Sequence, residues 1–248
     1  MEEIGGVGED ERRLIGLFLS TWDAVAAKMV GQQVGDGVDA SVRERYAFYA
    51  VKSIRTFKAF AALVKDGYLE EAQILTRANF ELVTDLMLFS KAPEENAEKL
   101  DSWLVASNWG LDSDSDAERA EIDRAQKSFC RKYGFKKFPK HWSGIDRISE
   151  RAAAVGLQST YRGPYAGQSD LVHSGTYALA CYLDFSNDGV LGLKAGSDWS
   201  NASHVVGEGC LWMWYCMYHI EDGLNLQCYE LVHALYESFA AYSRSIGM

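Results

Sequence analysis

Two apolar stretches of this chain carry sparse reactive side chains four residues apart: Arg77 and Glu81 within QILTRANFELVTDLMLF, and Ser169 and His173 within YAGQSDLVHSGTYALACYL. Four residues is about one turn of α-helix, so the members of each pair share a helix face. A guanidinium binds anionic groups. A carboxylate holds that guanidinium or acts as a base, and an imidazole moves protons near neutral pH. Brought together, Arg77, Glu81, Ser169 and His173 are candidate catalytic groups, and Tyr161 and Tyr165, just upstream of the second pair, are candidates for positioning a ligand.

Each pair also has a plainer reading. At 100° per residue, Leu75, Leu82, Leu86 and Phe89 cluster on one side of the first helix and Arg77 with Glu81 lies nearly opposite. An exposed ion pair of this kind contributes only about 0.3–0.5 kcal/mol. Ile74, Ala78 and Leu88 flank the pair, however, which points to a helix covered on both sides. In the second stretch Leu171, Val172, Leu179 and Leu183 form one face. The other holds Tyr165, Ser169, His173, Thr176, Tyr177 and Ala180 without one Lys, Arg or Glu. Solvated faces usually carry long charged residues, so this stripe reads as a semi-buried hydrogen-bonding wall. A core histidine satisfied by Ser169 or a backbone carbonyl is the competing account. A hydrolytic triad is disfavoured, because the Ser lacks the strand-turn-helix G-x-S-x-G setting and no orienting acid is evident.

Asp170-x-x-His173 and Glu230-x-x-His233 repeat the carboxylate-to-His spacing of dimetal helical bundles, with Glu81 as a third ligand. Asp stands where Glu is usual in one of them, which weighs against a metal. The Gly-rich stretches at 31–37 and 189–196 match neither nucleotide-binding loop pattern, so no cofactor is expected. Trp212, Trp214, Tyr215 and Tyr218 point to every side of their helix and read as a central core helix rather than a base-stacking platform.

The 248 residues suffice for a large core, and 48% hydrophobic residues with three Pro indicate a compact helical protein. A net charge of −10 gives general nucleic-acid binding no support at long range. The charge is uneven, though. DSDSDAERAEID at 112–123 is acidic, whereas 124–151 holds Arg124, Lys127, Arg131, Lys132, Lys136, Lys137, Lys140, Arg147 and Arg151 against Asp146 and Glu150. Lys136, Lys137 and Lys140 in the loop GFKKFPKHW are candidate contacts to an anion, and the asymmetry also suits a protein partner. Five cysteines without C-x-x-C spacing read as reduced thiols of a cytoplasmic protein. The opening MEEIGGVGED does not resemble a secretory signal, and LWMWYCMYHI is too short to cross a bilayer, so no membrane partner is expected.

The elements that must position these residues are helices. Helical periodicity runs from about Asp10 to Val30. Ser41-x-x-Glu44 reads as a capping box opening a helix to about Lys65, and Asp66-Gly67 stops it before a third helix from Leu69 to Ser90, giving an antiparallel hairpin. Pro93-Glu94-Glu95 opens a fourth helix and about 115–133 forms a fifth. Ser143 to Val155 reads as a sixth, and Pro164 as the start of the helix containing His173. Asn187-Asp188-Gly189 marks a small irregular hairpin near 185–196, and helices at about 199–221 and 224–245 are divided at Asp222-Gly223. The expected fold is all-α: a bundle of about eight or nine helices, with 1–9 a flexible N-terminus and 10–246 a single helical domain.

ILTRANFELVTDLMLF and HWSGIDRISERAAAVGLQSTYRGPYAGQSDLVHSG resemble a bacterial family of all-helical proteins catalogued only as a domain of unknown function. The resemblance rests on Arg77, Glu81, Trp142, Tyr161, Tyr165, Ser169 and His173 and covers roughly residues 45–180. It implies a fold and no assigned reaction. A looser similarity is to the HEPN helical ribonucleases of defence and toxin systems, which set Arg and His close together at a dimer interface. No Arg stands four to six residues before His173 here, so Arg77 would have to reach His173 through folding. The expected functions are therefore metal-independent phosphodiester cleavage acting on RNA or an anionic small molecule, a non-catalytic module that binds a protein or a second copy of itself, and a dimetal enzyme.

Overall fold

The computed structural model describes residues 7–30, 38–107, 116–165, 183–185, 191–193, 199 and 201–248. Within them the chain is all-α. In chain order the helices are α1 (Glu9–Val30), α2 (Ala40–Asp66), α3 (Leu69–Phe89), α4 (Pro93–Ser107), α5 (Asp116–Tyr133), α6 (Ile148–Ala154), α7 (Gln158–Thr160), α8 (Ala202–Leu224) and α9 (Tyr229–Ser245). A π-helical turn, Tyr161–Tyr165, follows α7, and Leu183–Phe185 pairs antiparallel with Leu191–Leu193 as a small ribbon where the hairpin was expected.

α2 and α3 form the expected antiparallel hairpin. Gly67 takes the left-handed conformation (φ 83°) and its N–H closes the last turn of α2 on the carbonyls of Leu63 and Val64. Tyr46, near the start of α2, then meets Phe89 at the end of α3 edge to face, and donates a hydrogen bond to Ser90 Oγ at 3.1 Å. α8 lies at the centre, packed against α1, α2, α3 and α9. Its Trp212 is buried and meets Phe80 of α3 edge to face. α4 and α5 form a second pair, closed by Trp103, Phe129 and Phe138, and Trp103 Nε1 donates to the carbonyl of Pro139. α6 packs on α3.

Pro164 does not open a helix but sits inside the π-helical turn Tyr161–Tyr165, and three further boundaries differ from the sequence expectation. Asp39, not Ser41, caps α2: its carboxylate accepts from the backbone N–H of Ser41 at 2.7 Å and from the Ser41 hydroxyl at 2.6 Å, so the capping box is pre-empted. The helix expected from Ser143 begins only at Ile148, because 141–147 is held as a turn by its own side chains. Asp222-Gly223 does not divide the last two helices; α8 runs through Gly223 and ends at Asn225 in the left-handed region (φ 49°). Gly223 serves packing instead, since a Cβ there would lie 2.1 Å from the Tyr46 ring.

The described cysteines, Cys130, Cys210, Cys216 and Cys228, are free thiols, and burial pushes Cys216 up to about 12, as expected for an inert core thiol. Cys181 lies outside the described residues. No described helix is long and apolar enough to cross a membrane.

Candidate functional site

α3 carries a polar stripe. Arg77, Glu81 and Asp85 recur every four residues and so share one face, opposite the buried Ala72, Phe80, Val83, Leu86 and Phe89 side that meets α2 and α8. The face is not simply solvated. The segment from His141 to Tyr165 folds across it and supplies a partner to each of the three.

At the N-terminal end of the stripe, Arg77 Nη2 lies 3.2 Å from Glu81 Oε1, and the Tyr165 hydroxyl donates to the same oxygen at 2.7 Å. The Arg77 guanidinium sits 5.0 Å from the centre of the Tyr165 ring, close enough for a cation–π attraction. Tyr165 is itself stacked between Tyr161 and Phe80, each ring centre 4.9 Å away. Pro164 lacks an N–H and so cannot make the ordinary helical bond, which suits the wide turn that presents Tyr161 and Tyr165 together. The side chains of Arg77 and Glu81 are 20% and 38% exposed, so the pair is half-buried rather than the fully solvated pair of the plainer reading. Arg77 Nε is buried and finds no partner among the described residues. Burial, with the hydrogen bond given to Glu81, pushes the Tyr165 phenol up to about 12 and keeps it a donor at neutral pH. Glu81, engaged by two donors, is a holder of Arg77 rather than a free base.

Two turns further along, Asp85 organises a second cluster that the sequence reading missed. His141 Nε2 lies 3.1 Å from Asp85 Oδ2, and His141 Nδ1 lies 2.8 Å from Ser143 Oγ. The backbone N–H of Ser143 also points at Nδ1, so Nδ1 is the accepting nitrogen and Nε2 donates to Asp85. Arg151, 7% exposed, approaches Asp85 Oδ1 through Nε at 3.0 Å and donates from Nη1 to the carbonyls of Ile145 and Asp146. Ser, His and Asp are the residue types of a hydrolytic relay. Here Arg151 neutralises the carboxylate and Ser143 Oγ accepts the Ile145 N–H, so the cluster fastens the 141–147 turn to α3. The signal that could have found it was the third member of the four-residue repeat on α3, Asp85.

The basic segment resolves into two parts. Arg151 is buried in this cluster, Lys127 pairs with Asp123 and Lys132 with Glu98 at 2.5 Å each, whereas Lys136, Lys137 and Lys140 remain exposed on the loop leading into His141. Ser169 and His173 lie outside the described residues, as does Asp170. Glu230 and His233 are exposed on α9, and among the described residues no three His, Cys, Asp or Glu side chains are grouped to hold a metal.

A family model, the family of unknown function DUF5677, matches residues 46–190, more than half of the chain. The chain belongs to DUF5677. The matched span contains both the α3 stripe and the segment that covers it, so the family region includes every residue of the two clusters. No curated protein and no solved structure matches this DUF5677 chain.

Proposed function

We propose that the covered face of α3 binds a phosphate group and that the chain cleaves RNA phosphodiesters without a metal. The observation that carries this reading is Arg77: a half-buried guanidinium clamped between the Glu81 carboxylate and the Tyr165 ring, with donors left over. Its Nη2 reaches Glu81 while its buried Nε has no partner among the described residues, and a guanidinium has five N–H donors in a planar fork suited to phosphate. The exposed Lys136, Lys137 and Lys140 adjoin the same face through His141 and offset locally the negative net charge that would repel RNA.

In the proposed reaction a ribose 2′-oxygen attacks the neighbouring phosphorus and the bond to the 5′-oxygen breaks, leaving a 2′,3′-cyclic phosphate and a 5′-hydroxyl. His173 takes the 2′-hydroxyl proton and returns it to the departing 5′-oxygen, while Arg77 stabilises the charge gathering on the non-bridging oxygens. Glu81 and Tyr165 position Arg77, and Ser169 orients His173.

The test is cleavage of single-stranded RNA by the full chain in excess chelator. His173→Ala is expected to lower the rate about 100-fold or more, and Arg77→Ala about 100-fold, with circular dichroism unchanged. Absence of cleavage by the wild-type chain, or an undiminished rate in His173→Ala, contradicts the reading.

A second reading draws on one specific observation, that Glu81 is already satisfied by both Arg77 and Tyr165. A closed network of that kind suits a non-catalytic interaction module. It predicts that Arg77→Ala lowers stability and leaves nothing else to lose.

A further inference from the structure

α2 turns one side to α1, α3, α4 and α8, and among the described residues nothing packs on its other side. On that uncovered side Glu44, Phe48, Val51 and Arg55 follow at intervals of four, three and four residues, the spacing that keeps side chains in one seam along a helix. Phe48 is 49% and Val51 55% exposed, and with Ala47, Lys52 and Thr56 these residues line a groove of about 660 Å³. The Lys52 ammonium lies 5.8 Å from the Phe48 ring and shields part of it.

The seam is complementary to itself when reversed. Placing a second α2 antiparallel, with a two-fold axis crossing between Tyr49 and Ala50, sets Glu44 opposite Arg55 of the second copy, Phe48 opposite its Val51 and Ala47 opposite its Lys52, each contact occurring twice. Within one chain Glu44 and Arg55 are eleven residues apart, about 16 Å along the axis, so they cannot satisfy each other. Neither makes an ion pair with another described residue. A parallel arrangement would bring Glu44 against Glu44, which is repulsive.

We propose that this face of α2 is the docking surface for a second copy of the chain, packed antiparallel about that axis. The aliphatic stem of Lys52 covers Ala47 of the other copy, and the two central Phe48–Val51 contacts exclude water between the terminal charge pairs. A seam of about three helical turns falls below the roughly 1,200 Å² of standard interfaces, so the association is reversible. The proposal is independent of the RNA-cleavage reading.

Sedimentation equilibrium across a wide concentration range tests it. The weight-average mass should rise from the 27.7 kDa of one chain toward twice that value. Val51→Glu should remove the rise. Glu44→Arg and Arg55→Glu should each weaken association about tenfold or more, and the double variant should restore it. All three positions are exposed, so the far-ultraviolet circular dichroism stays that of the wild type. A mass that remains at one chain at every concentration, a dimer indifferent to Val51→Glu, or single reversals that the double variant fails to rescue would overturn the proposal.

Discussion

Tyr165 acts through two parts of one side chain: its ring faces the Arg77 guanidinium and packs on Phe80, while its hydroxyl donates to Glu81. Tyr165→Phe keeps the first and removes the second. Urea unfolding should show a loss of about 1 kcal/mol, the ordinary net contribution of one hydrogen bond, and the proposed RNA cleavage should fall as Arg77 loses its fixed position. At the other end of the stripe, Asp85→Asn weakens the partner of both His141 and the buried Arg151. A loss of about 2–3 kcal/mol is expected by the same measurement, because a hydrogen bond to a charged, buried group costs more to lose. The two variants therefore separate a group that positions the proposed anion anchor from one that holds the covering segment down.

At the scale of elements, the parts of the fold legible in the sequence were those set locally. The Gly67 stop, the Pro93 opening and the periodicity of α1 and α3 are consequences of backbone freedom and of one apolar stripe per helix, which neighbouring residues reveal. Gly223 misled for a different reason. A glycine looks the same in sequence whether it ends a helix or makes room for a ring, and here the ring is Tyr46, far away in the chain. Gly223→Ala should accordingly cost about 1–3 kcal/mol by chemical unfolding, through overpacking rather than lost helix geometry. Asp85 itself continues the four-residue repeat of α3, but its partners were illegible for the same cause, since His141 is 56 residues from Asp85 and no local pattern joins them. Arg77 with Glu81, and Tyr165 with Tyr161, were legible as pairs. That the pairs meet was visible only in three dimensions.

At the scale of the molecule, Glu11 ties the N-terminal helix to the C-terminal two. Its Oε1 accepts from the Ser203 hydroxyl at 2.6 Å and from the Tyr242 hydroxyl at 3.0 Å. Burial alone would raise the Glu11 pKa, but these hydrogen bonds outweigh it and hold the carboxyl below its ordinary range. A depressed folded-state value means that the stabilisation is complete above the unfolded pKa and disappears as pH falls through and below roughly 4. Compared by thermal unfolding, the wild type should exceed Glu11→Gln near neutral pH, and the gap should close in acid. On the smaller α3 face, Arg77 is proposed to anchor a phosphate despite a net charge of −10. Fluorescence anisotropy with a single-stranded oligonucleotide lacking the reactive 2′-hydroxyl isolates binding from cleavage. Arg77→Ala should raise the dissociation constant about tenfold or more at low salt, while replacing the exposed Arg244 at the end of α9 should change it little. Equal affinity of the Arg77→Ala and wild-type chains would contradict it.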